Sequence, residues 1–173
     1  MLNCSSEILK EITDYLASRH ILYRAYAPVG IVTFSAGTLN TENLYDYRVN
    51  IGKTDFRVET AAPIKIPDHE KIYVRLLKFC NSVNLADRSG GYLVLNRAAG
   101  TLCCHMTVPF SSDSCGRIDR LLPIPACMLN RCSGAVRQLI LGTSSVEREV
   151  SSLKNACIYR DIFPLVSSSC HNA

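Results

Sequence analysis

The chain has no clustered positive charge, no glycine-rich phosphate loop and no long apolar run. Its net charge is +4, yet residues 1 to 110 hold 12 Lys+Arg against 10 Asp+Glu and residues 111 to 173 hold 7 against 5, so each part carries only +2. Counterion release on nucleic acid needs several adjacent cations, helped by interleaved aromatic residues, and that footprint is missing. The paired glycines, Gly90 and Gly91, precede a strand-like stretch, whereas a phosphate cradle needs the N-terminus of a helix. There is no Gly-x-Ser-x-Gly elbow and no paired-carboxylate motif. The most apolar uncharged passage, residues 121 to 130, contains two prolines and falls well short of the ~20 residues of a membrane span. Residues 1 to 7 hold no basic region followed by an apolar stretch, so no secretory leader is expected. These absences lead to the expectation of a chain that binds no nucleic acid, no membrane and no cofactor, and that is not an enzyme.

What is present is an ordinary globular composition. At 173 residues, with 47% hydrophobic and 20% charged residues, the chain is long enough to bury a core without covalent staples. A single domain over residues 1 to 173 is expected, with a core at about 5 to 110, a helical C-terminal part at about 126 to 158 and a frayed tail at 164 to 173. Nine cysteines are many, and their number is odd. A secreted disulfide scaffold is usually short and poor in core residues, so free, packed thiols in a reducing cytoplasm are the expected state.

Hydrophobic periodicity lays out the elements. Ile8, Leu9, Ile12, Tyr15 and Leu16 recur at helical spacing opposite Lys10, Glu11, Asp14 and Ser18, giving a first amphipathic helix. Residues 21 to 27 and 31 to 34 are β-branched and aromatic and flank the turn Pro28-Val29-Gly30. Residues 44 to 50 and 55 to 62 read as strands with one wetter face. Pro63 and Pro67 bracket an extended link, and Asp68 caps a second helix through about Asn84, with Ile72, Leu76, Phe79, Cys80 and Val83 on its buried stripe. Residues 92 to 95 and 101 to 108 form a hairpin, and 109 to 125 a long loop or short helical turns. A third helix is expected over 126 to 141, ending at Gly142, and a fourth after Ser144, whose spacing to Glu147 is that of a capping box.

The sharpest chemical constellation is Cys103-Cys104-His105, since thiolate and imidazole together can act as nucleophile and base or ligate zinc. On a strand, neighbours point to opposite faces, so Cys103 shares a side with His105 and not with Cys104. Cys115 could join them from the loop. Cys127 and Cys132 would be roughly 140° apart around a helix and are expected to pack separately. His69 and Glu70 read as first-turn residues of a helix and His20 as a helix-terminal residue, while His171 falls in the tail. None of these histidines is more than a weak general-base candidate.

The order of elements, with Leu22-Tyr23-Arg24 leading through Gly30-Ile31-Val32-Thr33-Phe34, then Phe56-Arg57-Val58-Glu59, the helix with residues 76 to 84, and Gly91-Tyr92-Leu93-Val94-Leu95 continuing past Gly100, resembles the YbjN-like family of small bacterial proteins. The resemblance spans about residues 5 to 110. It implies an α+β fold like that of type III secretion chaperones: a curved antiparallel β-sheet packed against helices, in the order α-β-β-β-β-α-β-β-α-α. It also implies a noncatalytic, chaperone-like or regulatory module, similar to sensory-transduction regulators, that binds an unidentified protein partner and can form a homodimer. Tyr23, Tyr26, Tyr45 and Tyr47 are candidate partner-surface residues, because a phenol joins apolar area to a hydrogen-bonding tip; ordinary half-buried sheet positions are the other reading. Two alternatives stand beside this one. The first is a small-molecule sensor or enzyme with a pocket in the curved sheet, including His105. The second is a thiol or zinc protein using Cys103, His105 and Cys115.

Overall fold

A computed structural model describes residues 4–37, 43–86, 90–110 and 117–155. Helix α1 (Cys4–Ser18) is followed by strand β1 (Tyr23–Tyr26), a single 3-10 turn (Ala27–Val29), then β2 (Ile31–Gly37), β3 (Leu44–Ile51) and β4 (Asp55–Lys65). Helix α2 (Glu70–Ala86) leads to β5 (Gly91–Asn96) and β6 (Thr101–Pro109), and three helices close the chain: α3 (Ile118–Leu121), α4 (Ile124–Leu141) and α5 (Val146–Asn155). The fold is α+β, as expected, with an open sheet of six strands among the described residues in the order β1-β2-β3-β4-β6-β5. All neighbouring pairs are antiparallel. The crossover through α2 is what sets β6, and not β5, beside β4.

Period-two burial gives the sheet its two faces. Tyr45, Tyr47 and Val49 of β3 and Phe56, Val58 and Thr60 of β4 are buried, while the residues between them are exposed or half-buried. The buried set joins Ile8, Ile12 and Leu16 of α1, Leu76 and Phe79 of α2 and Leu129, Val136 and Leu139 of α4. Fully burying each such side chain contributes about 1.5–3 kcal/mol, which is why these amphipathic stripes fix where the helices lie. The helices therefore cover one face of the sheet and leave the other open.

Several boundaries differ from expectation for local reasons. Pro63 does not link elements but sits inside β4, where the pairing with β6 slips between Ala61 and Lys65. A bulge is one of the few places where a strand tolerates a residue without an N–H. Asp68 lies before α2 with its carboxylate 3.7 Å from Arg97, a cation that also pairs with Glu70 at 3.1 Å. The cap of α5 is Ser145, whose hydroxyl accepts from the Arg148 N–H at 3.3 Å, one residue later than the Ser144 spacing suggested. The short α3 occupies part of the 109 to 125 stretch. At the end of α1, His20 takes φ +56 while its N–H bonds the Ala17 carbonyl and the Ile21 N–H bonds Leu16, a Schellman closure made without glycine. Residues 156 to 173, which include Cys157, His171 and the expected tail, lie outside the described residues.

Candidate functional site

The two edges of the sheet are treated differently. On β5, the side-chain amide of Asn84, carried by α2, accepts from the Leu93 N–H at 2.7 Å and donates to the Leu93 carbonyl at 3.0 Å. A side chain thus occupies the pairing position a further strand would use, one of the ways in which natural sheets close an edge. Among the described residues, β1 ends the sheet on the other side and pairs only with β2. Exposed apolar residues gather there: Leu22 is 91% exposed, Tyr26 49% and Tyr23 39%, with Val29 beyond them. Register places Tyr23 opposite buried Phe34, on the helix side, and Tyr26 opposite Ile31, on the open side. The two phenols therefore flank the edge, one on each face.

Tyr45 and Tyr47, expected as candidates for the same surface, are corrected by this geometry. They are 1% and 6% exposed, Tyr45 directing its hydroxyl to Asn130 at 3.3 Å and Tyr47 stacking on Phe34 with centroids 4.5 Å apart. Burial drives the Tyr47 phenol far above its usual range, and the thiol of Cys127 beside it adds to that. Both rings fill the core beneath the helices. In a β3 sequence read without its neighbours, alternation gives the shared face of two tyrosines but not which face the helices cover.

A second cluster forms on the open face. β6 turns Cys104 inward against Met128 of α4, their sulfurs 3.4 Å apart, and Cys103 and His105 outward. Cys103 is only 2% exposed although it stands outside the main core, because Ala61 and Val94 flank it in register. β4 supplies the third member: Glu59 lies directly opposite His105, its carboxylate 3.6 Å from Nε2. The ligand atoms of Glu59, Cys103 and His105 all lie within 4.8 Å of one another. Burial, and after it the Glu59 charge, pushes the Cys103 thiol up, while a contact with the Thr101 hydroxyl at 3.8 Å acts the other way. Tyr92 meets the His105 ring edge-on, centroids 5.6 Å apart.

Strand geometry alone pairs Cys103 with His105 and does not reach Glu59. The signal for Glu59 was its outward position between Val58 and Thr60, but only the β4–β6 pairing brings it to His105. Cys115, the expected third partner, lies outside the described residues.

The remaining candidates separate. Cys132 is buried and Cys127 half-buried in α4, and Cys80, Cys103 and Cys127 are free thiols. An open groove between α2 and α5, lined by Ser82, Leu85, Val146, Glu147, Val150 and Lys154, does not include His105. No helix among the described residues is long and apolar enough to cross a membrane. No family model, curated protein or solved structure matches this chain, so residues and geometry carry the functional reading.

Proposed function

We propose that this chain is a noncatalytic protein-interaction module, chaperone-like or regulatory, that receives an extended segment of a partner protein along β1. The observation that carries the reading is the asymmetry of the edges among the described residues: Asn84 blocks β5, while β1 keeps a rim with no strand beside it between Tyr23 and Tyr26. An added strand gains main-chain hydrogen bonds from such a rim and side-chain packing from the phenols that flank it. β1 is only four residues long, yet the apolar side chains around it are exposed, and that exposure beside a blocked edge favours use over neglect. The resemblance to YbjN-like proteins points to the same class of role. Free thiols accord with a reducing compartment, and the cytoplasm is the proposed location.

Affinity capture from native lysate tests the reading when done with position-specific variants. The wild type is expected to retain one stoichiometric protein, Leu22→Lys and Tyr26→Lys to lose it, and Tyr92→Lys, at an exposed site on the blocked edge strand, to keep it. Equal capture by all four chains contradicts the reading. Light scattering separates the other occupant of the edge: a concentration-dependent doubling of mass abolished by Tyr26→Lys would assign β1 to a homodimer instead.

A further inference from the structure

Glu59, Cys103 and His105 present one carboxylate, one thiol and one imidazole from the open face of the sheet, with ligand atoms within 4.8 Å of one another. We propose that they form a binding site for one zinc-class divalent ion per chain, with a fourth position left to water or an added ligand. The proposal stands apart from the β1 edge, which lies at the far side of the sheet.

Three features support it. The donor set mixes nitrogen, sulfur and oxygen, the combination that borderline-soft zinc accepts and that calcium or magnesium, which take oxygen ligands, do not. The spacing of one pair also fits: across a tetrahedral ion bound at zinc-like bond lengths, neighbouring donor atoms lie about 3.3–3.6 Å apart, and the Glu59 oxygen and His105 Nε2 stand at 3.6 Å. At that separation they make no hydrogen bond, and His105 Nε2 is a buried ring nitrogen without a hydrogen-bond partner. Buried polar atoms are rarely left so, and a cation between the two groups would satisfy both at once.

The arrangement is also held from outside. Cys103 and His105 are two apart on one strand and thus aim to one side, Glu59 is placed by direct cross-strand register, and Tyr92 packs edge-on against the imidazole. Two other readings of the cluster explain less. A Glu59–His105 ion pair accounts for two of the groups and leaves the thiol idle. A cysteine nucleophile, with His105 as its base, needs a thiol open to a substrate, whereas Cys103 is 2% exposed.

The test is titration of reduced protein, stripped of metal with a chelator and then freed of the chelator, with zinc by calorimetry and with cobalt by absorption. One ion per chain is expected, with a thiolate-to-cobalt charge-transfer band. Cys103→Ser should abolish the band, and Cys103→Ser, Glu59→Gln and His105→Gln should each weaken zinc binding by at least about tenfold, since even the partners that only orient a metal ligand are worth that much. Cys127→Ser, a half-buried thiol on α4, should leave stoichiometry and affinity unchanged. Zinc should also raise the melting temperature of the wild type and not that of Glu59→Gln, a half-exposed position where the amide keeps the shape of the side chain. Absence of saturable binding by the wild type overturns the proposal. So does binding that survives Cys103→Ser and Glu59→Gln, because the ion would then sit on other cysteines.

Discussion

A methyl group added at Gly30 would lie 2.6 Å from the carbonyl oxygen of Ile51, and Gly30 holds φ +63. Its own carbonyl accepts the Ile51 N–H at 2.7 Å, so this residue both ends the 3-10 turn and locks β2 to the end of β3. The left-handed backbone costs an L-residue about 1–2 kcal/mol before any clash is added. Gly30→Ala should therefore lower the free energy of unfolding by at least that amount, read from urea denaturation; a change under about 0.5 kcal/mol would mean that the turn relaxes freely.

Buried thiol and phenol groups give a second prediction at the residue scale. Burial and the nearby Cys132 push the Cys80 thiol up to about 12, and burial raises Tyr47 as well. The unfolded chain would release the Cys80 proton near the usual thiol range, about 8.5, while the folded chain keeps it. Across the window between, the folded state binds more protons, so stability falls as pH rises. The melting temperature should decline from about pH 9 upward, and Cys80→Ala should flatten part of that decline while lowering stability at pH 7. A melting temperature constant up to pH 11 would contradict the burial of these groups.

At the scale of elements, much could be read from sequence because each strong signal was local. Ile8, Ile12 and Leu16 mark one helical stripe, the hairpin of β5 and β6 follows from alternation around residues 97 to 100, and Gly142 closes α4 at φ +72. What could not be read depends on which elements become neighbours. The β4–β6 pairing, which adds Glu59 to Cys103 and His105, follows from a crossover through α2. The inward turn of Tyr45 and Tyr47 follows from α1 and α4 covering that face. Pro63 misled for a related reason, since the bulge that accommodates it exists only against β6. The outward pairing of Cys103 with His105, by contrast, needed only strand geometry.

Asn84 tests the element-scale account of the edges. Replacing it with Leu should leave the Leu93 N–H and carbonyl without their partner, at about 1–3 kcal/mol where such groups stay buried. It should also open β5 to pairing with other chains, seen as concentration-dependent association in sedimentation velocity. A variant as stable and as monodisperse as the wild type would mean that Asn84 does not guard that edge.

At the scale of the molecule, helices on one face and, among the described residues, an open second face and one unblocked edge place two separate surfaces on a single sheet. The metal proposal belongs to the open face at β4 and β6, and the partner proposal to β1. The partner claim is central, and site-specific photo-crosslinking addresses it most directly, with a benzophenone side chain in place of Tyr26 in one preparation and of Tyr92 in another, each irradiated in intact cells. From Tyr26 one discrete adduct is predicted, heavier than the chain by the mass of a different protein, and from Tyr92 none. An adduct at Tyr92 without one at Tyr26, or a Tyr26 adduct of twice the chain mass, would contradict the account.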